Sequence, residues 1–159
     1  MHIKKIKINN YRNYNEAEIS FHEKMNILYG DNAQGKTNIL ESIYICATTK
    51  SHQGSKDKEI IKMGCDEAHV KMYIEKEGLE HYIDLHLKKN KPKGIAVNGI
   101  PIKRSAELMG IINIVLFSPE DLVLQKEEDL LIWNSVSLAE FTLIIFIDIQ
   151  KSLIKEIIC

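Results

Sequence analysis

The sequence predicts an α/β fold built around a phosphate-binding loop, and three observations carry that prediction. The first is the run Gly30-Asp31-Asn32-Ala33-Gln34-Gly35-Lys36-Thr37, which fits the pattern G-x-x-x-x-G-K-[ST] at every fixed position. The second is its setting. Residues 25–29 precede it as a short apolar strand, and residues 38–45 follow it with the apolar spacing of a helix. The third is a set of alternating segments between residues 70 and 97, with turn signals at Glu77-Gly78 and Asn98-Gly99. The expected architecture is therefore a mixed sheet carrying the strand–loop–helix unit, with an antiparallel β subdomain folded beside the loop.

The loop has a chemical logic of its own. Successive backbone N–H groups and the positive end of a helix converge on phosphate oxygens. Gly30 and Gly35 allow a turn that a Cβ would obstruct. Lys36 is expected to reach the β/γ-phosphates and the Thr37 hydroxyl to ligate Mg²⁺. These residue types imply a nucleoside triphosphate with Mg²⁺ as the ligand pair.

The other elements follow in chain order. Ile3, Ile6 and Ile8, with lysines between them, predict a first strand, and residues 9–15 a turn-rich loop. Ala17, Ile19 and Phe21 alternate with Glu16, Glu18 and Ser20, as in a half-buried strand. Beyond the loop helix, residues 48–57 read as a polar connection and residues 58–63 as a short helix ended by Gly64. Residues 70–74 and 82–87 pair as a hairpin, residues 88–94 form a basic loop, and residues 95–97 make another strand. A short helix is expected over 105–109, closed by Gly110. The apolar run 111–117 reads as a buried strand, and Ser118-Pro119 as a new helix start.

Composition narrows the class. At 159 residues the chain is long enough for one domain with a real core, and 45% hydrophobic with 27% charged is an ordinary globular balance. A net charge of −1 argues against binding nucleic acid through bulk positive charge, while leaving room for a local basic face. Cys46, Cys65 and Cys159 include no C-x-x-C pair, so neither a disulfide framework nor a zinc-finger site is expected, and a reducing cytoplasm is the natural compartment. Residues 1–7 lack the apolar core of a signal peptide. The apolar run 141–147 is too short to span a bilayer, so no membrane association is expected.

Four stretches resemble the RecF family of ABC/SMC-type ATPase heads. They are residues 6–14 with Asn10-Tyr11-Arg12-Asn13-Tyr14, residues 30–44 with the phosphate loop, Ser51-His52 with residues 55–59, and residues 115–122 with Phe117-Ser118-Pro119-Glu120-Asp121-Leu122. Together they run through residues 1–122, about three-quarters of the chain. The resemblance implies the first lobe of such a head, a protein that binds ATP and DNA in recombinational repair and replication. It further implies action at single-strand gaps, assistance to recombinase loading alongside recombination mediator proteins, a place in the SOS response, and ATP-dependent homodimerisation. The nucleotide would be held by Arg12, Gly30, Asp31, Asn32, Ala33, Gln34, Gly35, Lys36, Thr37 and Asn38, with Thr37 on Mg²⁺. Family members usually continue Ser-His with arginine, where this chain has Gln53-Gly54.

The resemblance stops at Leu122. A helical lobe, the ABC signature and an acidic Walker B strand, all expected of the family, are not found in this sequence. The Gly-Pro and basic run expected after Leu122 are replaced by Val123-Leu124-Gln125-Lys126-Glu127-Glu128-Asp129. Back-translated with A/T-rich codons and read in another frame, this segment yields GPAKRRRF, the expected continuation. The sequence therefore divides into a phosphate-loop ATPase lobe, 1–122, and an aberrant tail, 123–159, produced by a frameshift. Within the tail, 138–149 and 151–159 look helical by pattern. Such a fragment is not expected to hydrolyse ATP, although the intact family is a weak ATPase.

Other constellations are weaker. Lys88, Lys89, Lys91 and Lys93 form the best basic patch and could touch a DNA backbone, although no aromatics for base stacking stand beside them. His52, His69, His81 and His86 show no i,i+4 pair and no cysteine partner, and read as strand or surface histidines. Two rival readings remain: a non-functional truncated gene product, and a different small phosphate-loop enzyme such as a kinase. The second would need an apolar strand ending in Asp, and Phe146-Ile147-Asp148 is the nearest match.

Overall fold

The computed structural model describes residues 1–31, 34–108, 111–117 and 144–146. It divides into two units, Met1–Ile112 and Asn113–Cys159. The first is built on a six-stranded antiparallel sheet in the order β2-β1-β3-β4-β5-β6. The strands are β1 (His2–Tyr11), β2 (Tyr14–Ser20), β3 (Glu67–Lys76), β4 (Leu79–Lys88), β5 (Lys91–Val97) and β6 (Ile100–Pro101). Between β2 and β3 lie α1 (Lys36–Thr48) and α2 (Asp57–Ile60). A 3₁₀ turn, Ser105–Leu108, follows β6 and buries Leu108. In the second unit, β7 (Val115–Phe117) pairs in parallel with β8 (Ile144–Phe146), Leu116 opposite Ile145.

The core lies on one face of the sheet. Alternation on β3 buries Ala68, Val70, Met72 and Ile74, and on β4 Ile83, Leu85 and Leu87. On β1 the buried residues are Ile3, Ile6, Ile8 and Tyr11, and the spacing from Ile3 to Ile6 breaks the two-residue period. The register slips between Ile3 and Lys5 against β3, and this bulge turns both isoleucines to the same side. Helix α1 covers that face, with Ile39, Ile43, Ile45 and Cys46 buried and the Cys46 thiol 3.9 Å from the Val70 carbonyl oxygen. Burial pushes that thiol well above its ordinary range.

The tight hairpins match their turn residues. Glu77-Gly78 has φ of 53° and 76°, and Asn98-Gly99 has 51° and 81°. Both residues of each pair are left-handed, as the twist-compatible two-residue turn requires. The expected basic loop 88–94 is instead a two-residue turn at Lys89-Asn90, and Lys91 and Lys93 belong to β5.

Several expectations are corrected. Residues 25–29 form no strand. A strand needs a ladder partner for its N–H and C=O groups, and among the described residues none pairs with this segment. Met25, Ile27 and Tyr29 are exposed. The Asn26 side chain closes a local turn, accepting from His22 N–H at 2.7 Å and donating to His22 O at 2.8 Å. The helix expected over 58–63 ends at Ile60, because Ile61 leaves to bridge Tyr11 and Lys62 N–H donates to Asn10 O at 2.8 Å. The run 111–117 is a strand only over Val115–Phe117, and the helix expected over 105–109 is a 3₁₀ turn. Within the tail expected to be helical, Ile144–Phe146 is a strand, in keeping with its β-branched and aromatic side chains. Ser118-Pro119 and the remaining tail residues lie outside the described residues.

Met72 is fully buried at the centre of β3, whereas Met63 is 97% exposed. Met72→Ala should destabilise the fold by about 2–5 kcal/mol through lost burial and the cavity left behind. Met63→Ala should change stability by less than about 0.5 kcal/mol. Urea denaturation followed by circular dichroism measures both.

Candidate functional site

The site is assembled by the turn between β1 and β2. Asn10 and Arg12 both take positive φ, 49° and 50°, which lets the chain reverse while Tyr11 stays fully buried. Arg12 N–H donates to Ile60 O at 2.8 Å, fixing α2 beneath the turn. The Arg12 guanidinium then reaches α1. Its Nε donates to Glu41 Oε2 at 2.8 Å and one terminal nitrogen to Glu41 Oε1 at 2.6 Å, a bidentate pair. The same nitrogen donates to Ser55 Oγ at 2.8 Å and the other to Glu59 O at 3.2 Å. Ser51 Oγ donates to Glu41 Oε1 at 2.6 Å.

Glu41 is completely buried. Burial alone would raise its pKa, but the bonds from Arg12 and Ser51 outweigh burial and hold the carboxyl below the usual carboxylate range. The Tyr11 hydroxyl is buried without a hydrogen-bond partner among the described residues. Burial and the neighbouring Glu41 carboxylate push it far above the ordinary tyrosine range.

The next two residues of the turn clamp the phosphate loop. Asn13 Oδ1 accepts from Asn38 Nδ2 at 2.8 Å, and Tyr14 Oη donates to Gln34 O at 3.4 Å. Gly35 stands at the N-cap of α1 with φ of 95°. A Cβ there would lie 2.7 Å from Tyr14 Oη and 2.8 Å from Asn13 Nδ2 and would displace those side-chain tips, and the backbone angle itself favours glycine. Lys36 Nζ folds over the loop, donating to Gly30 O at 2.9 Å and Asp31 O at 2.7 Å. The first turn of α1 carries no acidic residue. Thr37 is the second residue of that helix.

These features fit a phosphate chain: a left-handed glycine, an unopposed helix start and an ammonium held over the loop. They give Thr37 a place beside it, where its hydroxyl would hold Mg²⁺. Asn32 and Ala33 lie outside the described residues. Arg12, expected next to the nucleotide, is tied to Glu41; it lines an open groove of about 620 Å³ with Asn13, Asn38, Lys58, Glu59, Ile61 and Met63.

The expected basic patch is not a single surface. Lys93 Nζ donates to Thr49 O at 2.7 Å and to Asp57 Oδ1 at 2.9 Å, tying β5 to the end of α1 and the start of α2. Lys89 lies 3.8 Å from Asp66. Lys88 and Lys91 face each other across β4 and β5 and make no ion pair among the described residues. The sequence reading missed Glu41, whose signal was an acid among the apolar positions of α1. It also missed the meeting of His69 with His86, which stack with ring centroids 3.7 Å apart, because that contact depends on strand register.

Comparison with known proteins now fixes the class. A family model described as an AAA ATPase domain matches residues 1–155, and the chain belongs to that family. Within it, the similarity is to the N-terminal part of RecF. The DNA replication and repair protein RecF of Lachnoclostridium phytofermentans is 60% identical over 126 residues, 79% of this chain and 35% of that protein. RecF of Clostridium novyi is 49% identical over 127 residues, 80% of this chain and 35% of that protein. The chain thus spans about a third of the length of the curated relatives it matches. A solved structure of the recombination mediator protein RecF-ATP in the RecFOR pathway aligns with TM-score 0.72 and 36% identity, covering 79% of this chain and 35% of that one. An SMC ATPase structure aligns with TM-score 0.61 at 18% identity over 88% of this chain and 95% of that one, a likeness of fold alone. The fold is an α/β fragment of the ABC/SMC ATPase head type. Among the described residues, no helix is long and apolar enough to cross a membrane.

The Arg12–Glu41 pair makes its own prediction. Arg12→Ala leaves a buried carboxylate uncompensated and should cost about 3–5 kcal/mol. Glu41 has a folded pKa below its ordinary value of 4.5, so the pair contributes fully above that pH. Its contribution drains away as pH falls through the lower folded value. The stability gap between the natural chain and Glu41→Gln should therefore be widest near neutrality and narrow between about pH 5 and pH 3. Denaturant midpoints measured across that range decide it; a gap independent of pH would show that Glu41 titrates normally.

Proposed function

We propose that this chain is the nucleotide-binding part of a RecF-like ATPase of DNA replication and repair. The observation that carries the reading is the clamped loop: Gly35 left-handed against Asn13 and Tyr14, with Lys36 folded over Gly30 and Asp31. In this reading residues 30–38 hold the phosphates of ATP, Lys36 turns from the loop carbonyls to a phosphate oxygen, and Thr37 holds Mg²⁺. Arg12 positions the loop through the turn it anchors. RecF relatives support a role in repair and replication. Binding to single-stranded DNA, action at gaps, recombinase loading with mediator proteins, an ATP-dependent homodimer, an SOS role and a cytoplasmic location all extend that reading. Lys88 and Lys91 are the candidate DNA contacts on β4 and β5, with Lys89 beside them and Lys93 acting as a tether.

The 159-residue chain should bind Mg-ATP without steady-state turnover, because neither a signature segment nor an acidic Walker B strand was found in its sequence to orient water and complete the site. Lys36→Ala removes a charge-assisted contact of about 1.5–3 kcal/mol and should weaken ATP binding roughly 10- to 100-fold. Isothermal titration and a phosphate-release assay test both. Unchanged affinity would remove the nucleotide from this loop, and phosphate release lost in Lys36→Ala would show that the chain is a complete enzyme.

We also propose that the lobe ends at residue 122 and that residues 123–159 are a frameshifted tail. RecF similarity covering only 126 or 127 residues supports this reading; the family match continuing to residue 155 weighs against it. The encoding DNA should hold a Gly-Pro pair of codons in another frame directly after Leu122. A coding frame that stays open there but reads unlike RecF would refute the shift.

A further inference from the structure

The sheet face turned away from α1 carries a cluster that nucleotide binding leaves unused. His69 on β3 stands directly opposite His86 on β4. Glu67 precedes His69 by two residues and so shares its side of the strand. Glu67 Oε2 lies 3.0 Å from His86 Nε2, and the two imidazoles stack with planes 27° apart. One donor atom from each of the three residues lies within 4.8 Å of the other two. A tetrahedral ion with bonds of about 2.0–2.1 Å brings its ligand atoms to about 3.4 Å. Side-chain torsions alone can close that difference, since the backbone register already sets the three side by side.

The surroundings favour coordination. On β5 the residue opposite His86 is Gly94. A Cβ built there would stand 3.9 Å from His86 Cβ, so glycine places no side chain beside that imidazole. A simple Glu67–His86 ion pair accounts for two of the three groups and leaves His69 without a role. Lys88, opposite Glu67, opposes every divalent cation alike, so selection falls to the donor atoms, and two imidazole nitrogens disfavour Mg²⁺ and Ca²⁺, which take oxygen ligands. Two imidazoles and one carboxylate suit a first-row transition cation.

We propose that Glu67, His69 and His86 form a surface binding site for a divalent transition cation of the zinc class, with water completing its coordination. The ion would clip β3 to β4 at the end next to the β4–β5 turn, adding a cross-strand link that the hydrogen-bonded ladder does not supply.

The test titrates the full 159-residue chain with Zn²⁺ and follows heat and melting temperature, with Co²⁺ absorption as a report of ligand geometry. The expected result is one saturable equivalent and a melting temperature that rises with Zn²⁺, because a ligand bound only by the folded state stabilises it. His69→Ala, His86→Ala and Glu67→Gln should each weaken binding more than about tenfold, the least expected even for an outer supporting group. Cys65→Ser, which removes a competing zinc ligand elsewhere, should leave the affinity unchanged. Glu67 is exposed and Glu67→Gln keeps its shape, so this variant remains informative if a histidine variant unfolds. Full affinity in Glu67→Gln, or no saturable equivalent in the natural chain, overturns the proposal.

Discussion

The bidentate pair between Arg12 and Glu41 is the constraint on which the first unit depends. It joins a turn of the sheet to the middle of α1, and through Ser51, Ser55 and the Glu59 carbonyl it gathers the segment between the helices. A carboxylate with no exposure is tolerable only if its oxygens are fully bonded. Glu41 meets that condition with a fork from Arg12 and a hydroxyl from Ser51. Since the pair's desolvation is costly, its value lies in geometry: no sliding of α1 along the sheet can preserve both bonds. The phosphate loop begins six residues before Lys36 closes on it, so whatever fixes α1 fixes the loop's C-terminal end.

The same turn explains how one short motif ties the core to the glycine loop. Asn10, Tyr11, Arg12, Asn13 and Tyr14 divide the labour by direction. Tyr11 points into the core, Arg12 reaches beneath the helix, and Asn13 and Tyr14 press on Asn38 and Gln34. Two left-handed residues make this fan of side chains possible within a single reversal. Gly35 is the complementary surface, since any side chain there would occupy the space of Asn13 and Tyr14. Turn and loop are thus in direct contact, with Asn13 and Tyr14 seated against Gly35.

What was legible in the sequence was local. Glu77-Gly78 and Asn98-Gly99 declare their turns through residues that accept positive φ, and the Gly30–Thr37 pattern declares the left-handed glycine that starts α1. The alternation on β3 and β4 gave the buried face correctly, as did the apolar spacing of α1. What was not legible depends on pairing at a distance. Arg12 and Glu41 lie 29 residues apart. His69 and His86 meet only because β3 and β4 adopt one register, and a slip of a single residue would send them to opposite faces. Lys93 looked like part of a basic loop because sequence cannot say which lysine will find Asp57. Residues 25–29 have the composition of a strand, but strand formation is a property of two chains, and the described residues offer this segment no partner.

That last point sets the mechanical character of the site. The loop is anchored unequally. Its C-terminal side is built into α1, the turn and the Arg12 network, whereas its N-terminal side follows a segment without secondary structure in which Met25, Ile27 and Tyr29 are exposed. A segment of this kind contributes almost no stability by itself, so Gly30 is positioned mainly by the bond from Lys36. In the proposed reading Lys36 therefore has two competing tasks, holding the loop closed and meeting a phosphate. If a phosphate draws the ammonium away, Gly30 loses its tether, and the free energy of binding is reduced by the cost of reordering the loop. A second strand laid beside residues 25–29 would supply backbone bonds, cover the apolar side chains and relieve Lys36 of its structural duty. Tight nucleotide binding and a paired strand at residues 25–29 are, on this reasoning, coupled: each lowers the cost of the other because both fix the position of Gly30.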